Sequence, residues 1–195
     1  MIYKGAEADL YVEGGDLVKR RVKKRYRITE IDDSLRKYRT RHEAKLMGKI
    51  RDFGFPAPKV VKVSEKDATI IMEYVDGKTL KEVFEEEPED AVKKLSRKVG
   101  ESLRLLHGNN IVHNDLTTSN MLAKDGLVYV IDWGLGYHST RLEDKAMDLV
   151  VLKKSLRATH PSRFELIWKN VLAGYKPDKE LSTRVETIEN RVRYH

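Results

Sequence analysis

Most apolar residues of the first 75 positions fall in short segments, some of them rich in β-branched residues, which is typical of short β-strands. Glycines stand between the first of these segments, at Gly5 and at Gly14–Gly15, where turns are expected. A longer stretch, from about Asp33 to Ile50, predicts one helix. The predicted strands are Ile2–Lys4, Ala8–Val12, Leu17–Arg20, Lys59–Val63 and Ala68–Val75.

The rest of the chain has apolar residues that recur every three to four positions, which predicts helices. This spacing is clearest over Ala91–His107, and Gly108 is placed to end that helix. Ile111–Val112 and Leu127–Ile131 are short apolar stretches that fit buried strands. The other predicted helices are Leu80–Glu86, Leu142–Arg157, Arg163–Ala173 and Asp178–Val192.

Together these patterns predict an α+β fold with two lobes. Residues 1–75 would form a small β-rich N-lobe with one main helix. Residues 76–195 would form a reduced, mostly helical C-lobe, and the segment from Glu73 to Gly77 is the predicted hinge. A chain of this length can bury a substantial core.

Composition narrows the possible functions. The 195 residues carry a formal net charge of +7, which favours nucleic acid or nucleotide as an anionic partner ahead of a membrane. The charge is uneven, with a basic run over Lys19–Arg27 and an acidic run over Glu82–Asp90. Cysteine is absent, which excludes thiol catalysis, disulfides and cysteine-ligated zinc. Neither a long apolar run nor an N-terminal signal pattern occurs, so we expect a cytoplasmic protein.

Three polar residues after the predicted strands fit the needs of phosphoryl transfer. This reaction requires a carboxylate that orients the attacking hydroxyl and hard oxygen ligands for Mg²⁺, of which one or two side chains suffice. Asp115, in the loop after Ile111–Val112, is the candidate proton acceptor. Asn120 and Asp132 are the candidate metal ligands, Asp132 at the end of a predicted strand. ATP and Mg²⁺ are therefore the expected ligands.

The order of these residues matches the protein-kinase pattern H-R-D-L-x-x-x-N followed by D-F-G. Asn114 stands in place of the arginine and Trp133 in place of the phenylalanine, while Gly134 permits the turn after the second aspartate. We interpret His113 as a brace for this loop rather than a base, and Trp133 and Trp168 as core residues.

A lysine and a glutamate upstream complete the catalytic set. Lys19 lies on the third predicted strand, where kinases place the lysine that contacts the phosphates, although Arg20 and Lys23 leave the register open. Glu43 is its candidate partner, because Thr40, Glu43 and Met47 share one helical face. The predicted ATP contacts, including the adenine contacts of the hinge strand, are Gly5, Ala6, Glu7, Ala8, Lys19, Met72, Glu73 and Val75.

These residues resemble the eukaryotic-type protein kinase superfamily and, more closely, the small atypical kinase subunit of the KEOPS tRNA-modification complex, the PRPK-type kinases. The resemblance covers nearly the whole chain. Its most specific segments are Lys4–Ala8, Lys23–Arg27, Arg39–Ala44, His113–Met121 and Ile131–Gly136.

The resemblance implies a minimal bilobal protein-kinase-like fold. It implies an ATPase and serine/threonine kinase that supports formation of threonylcarbamoyladenosine at position 37 of ANN-decoding tRNAs. The implied partners are a threonylcarbamoyltransferase subunit, a small subunit that binds the N-lobe, and tRNA. Asp148 would brace the catalytic loop. The chain lacks the A-P-E signature that closes an activation segment, and its basic end, Arg191–His195, lacks the glycine of the family's tail.

Two other interpretations remain open at this point. One is a RIO-type kinase or a small-molecule kinase of the aminoglycoside or choline type, which also pair a histidine-containing loop with a short metal-binding motif. The other is a nucleotide-sensing scaffold without turnover. The presence together of Asp115, Asn120 and Asp132 favours an active enzyme over the scaffold.

Overall fold

The computed structural model describes residues 2–5 and 7–193, with the backbone alone described at 2–4, 192 and 193. It divides into two compact units, Met1–Asp76 and Gly77–His195. The fold is α+β, with a β-sheet and one long helix in the first unit and mostly helices in the second. This is the predicted protein-kinase-like class.

The first unit is a five-stranded antiparallel sheet with one helix. The strands are β1 (Ile2–Lys4), β2 (Ala8–Glu13), β3 (Asp16–Arg21), β4 (Val60–Ser64) and β5 (Thr69–Glu73), and the helix is α1 (Thr29–Asp52). They are arranged in the order β1-β2-β3-β5-β4. Gly14 and Gly15 join β2 to β3 with φ of 60° and 90°, the positive values that a two-residue hairpin loop requires.

Helix α1 begins four residues earlier than the predicted start at Asp33. Its first turn is polar, so apolar spacing gives no signal there. Asp32 is nevertheless fully buried, and it accepts a hydrogen bond of 2.8 Å from Arg36. Burial alone would raise the pKa of Asp32, but hydrogen bonds from Arg36 and from the Lys24 backbone lower the pKa on balance. The ionised carboxylate therefore stabilises the amino end of the helix.

The second unit is mainly helical. Its helices are α2 (Leu80–Glu86), α3 (Glu89–Gly108), α4 (Leu142–Thr159), α5 (Phe164–Tyr175) and α6 (Lys179–Arg193). Its short strands are β6 (Lys78–Thr79), β7 (Ile111–Val112), β8 (Met121–Lys124), β9 (Leu127–Val130) and β10 (Tyr137–His138). Strands β6, β8 and β9 form one sheet, and β7 pairs with β10.

Helices α3 and α5 pack with their backbones in contact at two glycines. A Cβ atom on Gly100 would lie 2.0 Å from the Val171 carbonyl oxygen, and one on Gly174 would lie 2.0 Å from the Arg97 carbonyl oxygen. Only glycine fits at either position. Trp133 and Trp168 are both buried in this unit, as predicted. No helix within the described ranges is both long and apolar enough to cross a membrane.

Candidate active site

The loop that follows β7 is anchored by one buried aspartate on α4. The Asp148 carboxylate accepts hydrogen bonds from the backbone N–H of His113 at 2.7 Å and from that of Asn114 at 2.6 Å. Asn114 has a φ of 65°, so these two bonds hold the left-handed turn with which the loop begins. This is the bracing role that the family resemblance implied for Asp148.

His113 connects this loop to the segment after β9. Its Nε2 lies 3.0 Å from the Ile131 carbonyl oxygen, and its Nδ1 accepts a hydrogen bond of 3.2 Å from the Asp115 N–H. The ring also packs against Trp133, with centroids 4.7 Å apart. Burial lowers the pKa of His113 in spite of the nearby Asp148 carboxylate. With both ring nitrogens hydrogen bonded, His113 links the loop to the segment after β9, which agrees with the predicted bracing role.

A second buried histidine completes the support of Asp148. His107 Nε2 lies 3.2 Å from Asp148 Oδ2, and His107 Nδ1 lies 2.7 Å from the Tyr175 hydroxyl oxygen. Burial raises the pKa of Tyr175 above its ordinary value, so the hydroxyl keeps its proton. In a neutral His107, the Tyr175 hydroxyl must donate to Nδ1, and Nε2–H then donates to Asp148. Sequence spacing gave no indication of His107 and Tyr175.

The candidate base and one candidate metal ligand are in direct contact. Asn120 Nδ2 donates to the Asp115 backbone carbonyl at 3.0 Å and to Asp115 Oδ2 at 3.0 Å. With the amide nitrogen fixed on Asp115, the Asn120 side-chain oxygen faces away from that carboxylate. The loop therefore holds the Asp115 carboxylate in one orientation and leaves the Asn120 side-chain oxygen as a candidate metal ligand.

Asp132 lies near Asn120 because β8, which begins directly after Asn120, pairs with β9, which ends two residues before Asp132. The Ile131 N–H donates to the Asn120 carbonyl at 2.9 Å, so the next residue, Asp132, is adjacent to it. Asp132 has a φ of 61° and accepts a hydrogen bond from the Gly134 N–H. The indole N–H of the buried Trp133 donates to the Val130 carbonyl at 3.0 Å and fixes this turn.

The donor set fits a magnesium ion. A carboxylate and an amide oxygen are hard ligands, and Mg²⁺ usually keeps several waters, so two side chains suffice. Within the ranges that the structure describes, no group of three or more histidine, cysteine, aspartate or glutamate residues forms a fuller metal cage. The residues therefore suit an ion held jointly with a phosphate ligand.

The first unit contains a buried charge cluster centred on Glu43. Lys19 Nζ lies 2.7 Å from Glu43 Oε1, and Arg21 Nη2 lies 2.5 Å from Glu43 Oε2. All three residues are more than nine-tenths buried, whereas Arg20 and Lys23 are exposed. Of the three cations among which the sequence left the choice open, Lys19 is the one that contacts Glu43, and its contact with phosphate stays a prediction. Arg21 was missed, although strand alternation places it on the same face as Lys19.

The segment expected to contact phosphate lies between β1 and β2. The Gly5 N–H donates to the Ala8 carbonyl at 3.0 Å, so that amide is engaged within the segment. The Glu7 carboxylate faces basic residues, with Lys24 Nζ at 3.6 Å and Arg39 Nη1 at 3.3 Å. Ala6 lies outside the described residues. The contact of this segment with ATP stays a prediction.

The predicted adenine contacts are at the end of β5. Met72 and Val75 are buried, each with 5% of its surface exposed. Glu73 is tied to the neighbouring segment, since its N–H donates to the Lys59 carbonyl at 2.8 Å and its carboxylate accepts from the Lys59 N–H at 3.1 Å. Their role in adenine binding stays a prediction.

Comparison with known proteins identifies similar sequences and folds. Residues 15–149 match the RIO domain family. The KEOPS complex subunit Bud32 of Pyrococcus abyssi is 40% identical, over all of this chain and 96% of that protein. A probable bifunctional tRNA threonylcarbamoyladenosine biosynthesis protein of Methanocaldococcus jannaschii is also 40% identical, and this chain spans 37% of its length.

Solved structures with the same fold are more distant in sequence. The Rio2 kinase-ADP/Mg²⁺-phosphoaspartate complex from Chaetomium thermophilum superposes with a TM-score of 0.68 at 18% identity, covering 100% of this chain and 71% of that one. A structure of WbdD gives a TM-score of 0.65 at 17% identity, covering 98% and 50%. These similarities show a protein-kinase-like fold.

Proposed function

Because the chain belongs to the RIO domain family and to the family of the KEOPS subunit Bud32, we propose that it is an ATP- and Mg²⁺-dependent kinase or ATPase that supports tRNA threonylcarbamoyladenosine formation. The observation that carries the proposal is the contact of Asp115 with Asn120, in a loop anchored on Asp148. A scaffold that only senses nucleotide does not need an oriented carboxylate.

The proposed catalytic roles are divided among five side chains. Asp115 would orient the attacking oxygen, either a serine or threonine hydroxyl or a water molecule. Asn120 and Asp132 would hold Mg²⁺, which would neutralise charge on the phosphates. Lys19, kept in place by Glu43, would contact the phosphates of ATP. The other proposed ATP contacts are Gly5, Ala6, Glu7, Ala8, Met72, Glu73 and Val75.

The proposed setting is a multi-subunit complex. The names of the relatives support a KEOPS subunit that acts in threonylcarbamoyladenosine synthesis. By the family resemblance, the partners would be a threonylcarbamoyltransferase subunit, a small subunit bound to the N-lobe, and tRNAs that decode ANN codons. Asn114 replaces the arginine that usually pairs with an activation-loop phosphate. Control by a bound partner therefore suits this chain better than control by phosphorylation, and turnover of generic peptides should be weak.

The test is ATP turnover by the free chain and by the chain reconstituted with its transferase partner and tRNA. We expect the partner and tRNA to change the rate, and Asp115→Asn to lower it by about 100-fold or more in both states. Asp125→Asn is the matched control, since Asp125 lies in the exposed turn between β8 and β9. A rate that neither addition changes contradicts coupling. Full tRNA modification by Asp115→Asn would instead support the scaffold.

A further inference from the structure

Helix α1 distributes its charges unevenly between its buried and exposed sides. Asp32 and Glu43 are buried, and Asp33 is hydrogen bonded to Arg36. The other two carboxylates of the helix lie in its first and last turns. From residue 31 to residue 51, every side chain that is mostly exposed is therefore basic or uncharged.

The exposed cations form a regular row. Lys37, Arg41, Lys45 and Lys49 follow one another at intervals of four residues, and we call them the basic stripe. Successive members are about 6 Å apart along the helix axis, from a rise of about 1.5 Å per residue. Residues four apart are neighbours on a helix, so these like charges repel one another. Among the described residues, only Glu65 pairs with the stripe, 3.7 Å from Arg41 at an exposed position.

An exposed aromatic ring flanks the stripe. Tyr38 is 56% exposed, and its ring stacks on His42 with centroids 5.7 Å apart and an interplanar angle of 15°. It lies next to Lys37 and three residues before Arg41, on the same side of the helix. An accessible ring beside a row of cations is the combination with which proteins bind unpaired nucleotides.

We infer that the basic stripe binds the phosphate backbone of a single-stranded RNA segment, with Tyr38 stacking on a base. The step along the stripe is comparable to the separation of successive phosphates in a nucleic-acid strand. A polyanion would relieve the like-charge repulsion along the whole stripe at once, and the net charge of +7 favours its approach. An acidic protein fits less well, because a protein partner would also need exposed apolar side chains to cover. Between residues 37 and 49, Tyr38 is the only exposed aromatic or aliphatic side chain. The inference deepens the proposed function, since it supplies the RNA contact that a tRNA-directed subunit needs.

Fluorescence anisotropy with a labelled RNA stem–loop tests this surface in the free chain. The stripe variant carries Lys37→Gln, Arg41→Gln, Lys45→Gln and Lys49→Gln. With four phosphate contacts removed, the slope of log affinity against log salt should fall by about 3, from about 0.7 per contact for single strands. Tyr38→Ala should weaken binding about tenfold and leave the slope unchanged, because stacking releases no counterions.

A charge-matched control separates the stripe from the overall charge. Replacing Lys94, Lys154, Lys169 and Lys179 of the second unit by glutamine removes the same charge from scattered exposed positions, and should change the salt slope by less than about 1. Equal losses in the control would overturn the inference. It would also be overturned if the stripe variant kept its RNA affinity and lost only its protein partner, or if a blunt RNA duplex bound as tightly as the loop.

Failure of this inference is distinguishable from failure of the proposed function. The stripe variant should keep the ATP turnover of the free chain, whereas Asp132→Asn should lose turnover and keep RNA affinity. Folding is monitored by thermal unfolding, where the stripe variant should be as stable as the parent or more so, since like charges are removed.

Discussion

Replacing Glu43 by glutamine tests whether one carboxylate organises the charge cluster of the first unit. Lys19 and Arg21 both contact this carboxylate, at 2.7 and 2.5 Å, and all three residues are almost completely buried. Glutamine keeps the shape and removes the negative charge that the two cations share. Breaking a buried ion pair in this way costs about 3–5 kcal/mol, and two contacts are lost together, so we expect a value toward the upper end.

Arg21→Met is the informative comparison. It leaves the Lys19–Glu43 pair intact and removes a buried Nε that has no hydrogen-bond partner. An unsatisfied buried donor destabilises by about 1–3 kcal/mol, so its removal offsets most of the lost ion pair. We expect the free energy of unfolding of Arg21→Met to stay within about 1 kcal/mol of the parent. Glu65→Gln, at an exposed glutamate, serves as the neutral control.

Urea unfolding measures these differences with two signals. Both tryptophans of the chain, Trp133 and Trp168, lie in the second unit, so their fluorescence follows that unit, while far-UV circular dichroism follows both. Glu43→Gln should lower the midpoint of the circular dichroism transition more than that of the fluorescence transition. Equal destabilisation by Glu43→Gln and Arg21→Met would refute the reasoning, since the carboxylate would then not be the shared centre.

Three further predictions concern the second unit. Asp132→Asn should raise the Mg²⁺ concentration for half-maximal ATP turnover by about tenfold or more. Loss of a residue that only supports a metal ligand already lowers metal affinity by about 10–100-fold, and Asp132 is proposed as a ligand itself. Tyr175→Phe should destabilise the unit by about 1–3 kcal/mol and shift the ¹⁵N NMR signal of His107 Nδ1, because the ring keeps its Nε2–H on Asp148 and loses the hydroxyl that donates to Nδ1. A protonated Nδ1 in a neutral His107 of the parent would contradict the assignment. The pKa of His113 is lower in the folded state than its ordinary 6.5. The unfolded chain therefore takes up this proton first, and the free energy of unfolding should decrease as pH falls below about 6.5, with a smaller decrease in His113→Asn.

The second unit was the more predictable part of the candidate site. Asp115 comes after β7, Asn120 directly before β8 and Asp132 after β9, so all three polar residues lie near the ends of short strands. The structure brings Asp115 and Asn120 into contact and places Asp132 beside them through strand pairing. Local sequence order is sufficient here because the loop is short and its anchors are close in the chain.

Contacts between distant segments account for what the sequence did not show. Arg21 is one of many cations in a basic run, and only the packing of β3 on α1 distinguishes the buried ones from the exposed ones. His107 and Tyr175 are 68 residues apart, and no periodicity relates them. The early start of α1 was missed because its first turn is held by the polar Asp32 and not by apolar residues.

The close approach of α3 and α5 at their two glycines also determines the hydrogen bond between His107 and Tyr175. Gly100 precedes His107 by two helical turns, about 10 Å along α3, and Gly174 directly precedes Tyr175 on α5. The separation of the two backbones thus decides whether the Tyr175 hydroxyl can reach the imidazole. A methyl group at Gly100 would force the helices apart and lengthen that bond. A substitution far from Asp148 would then remove one of the hydrogen bonds that hold the ring beneath it, and would loosen the loop that carries Asp115 while every predicted site residue is unchanged.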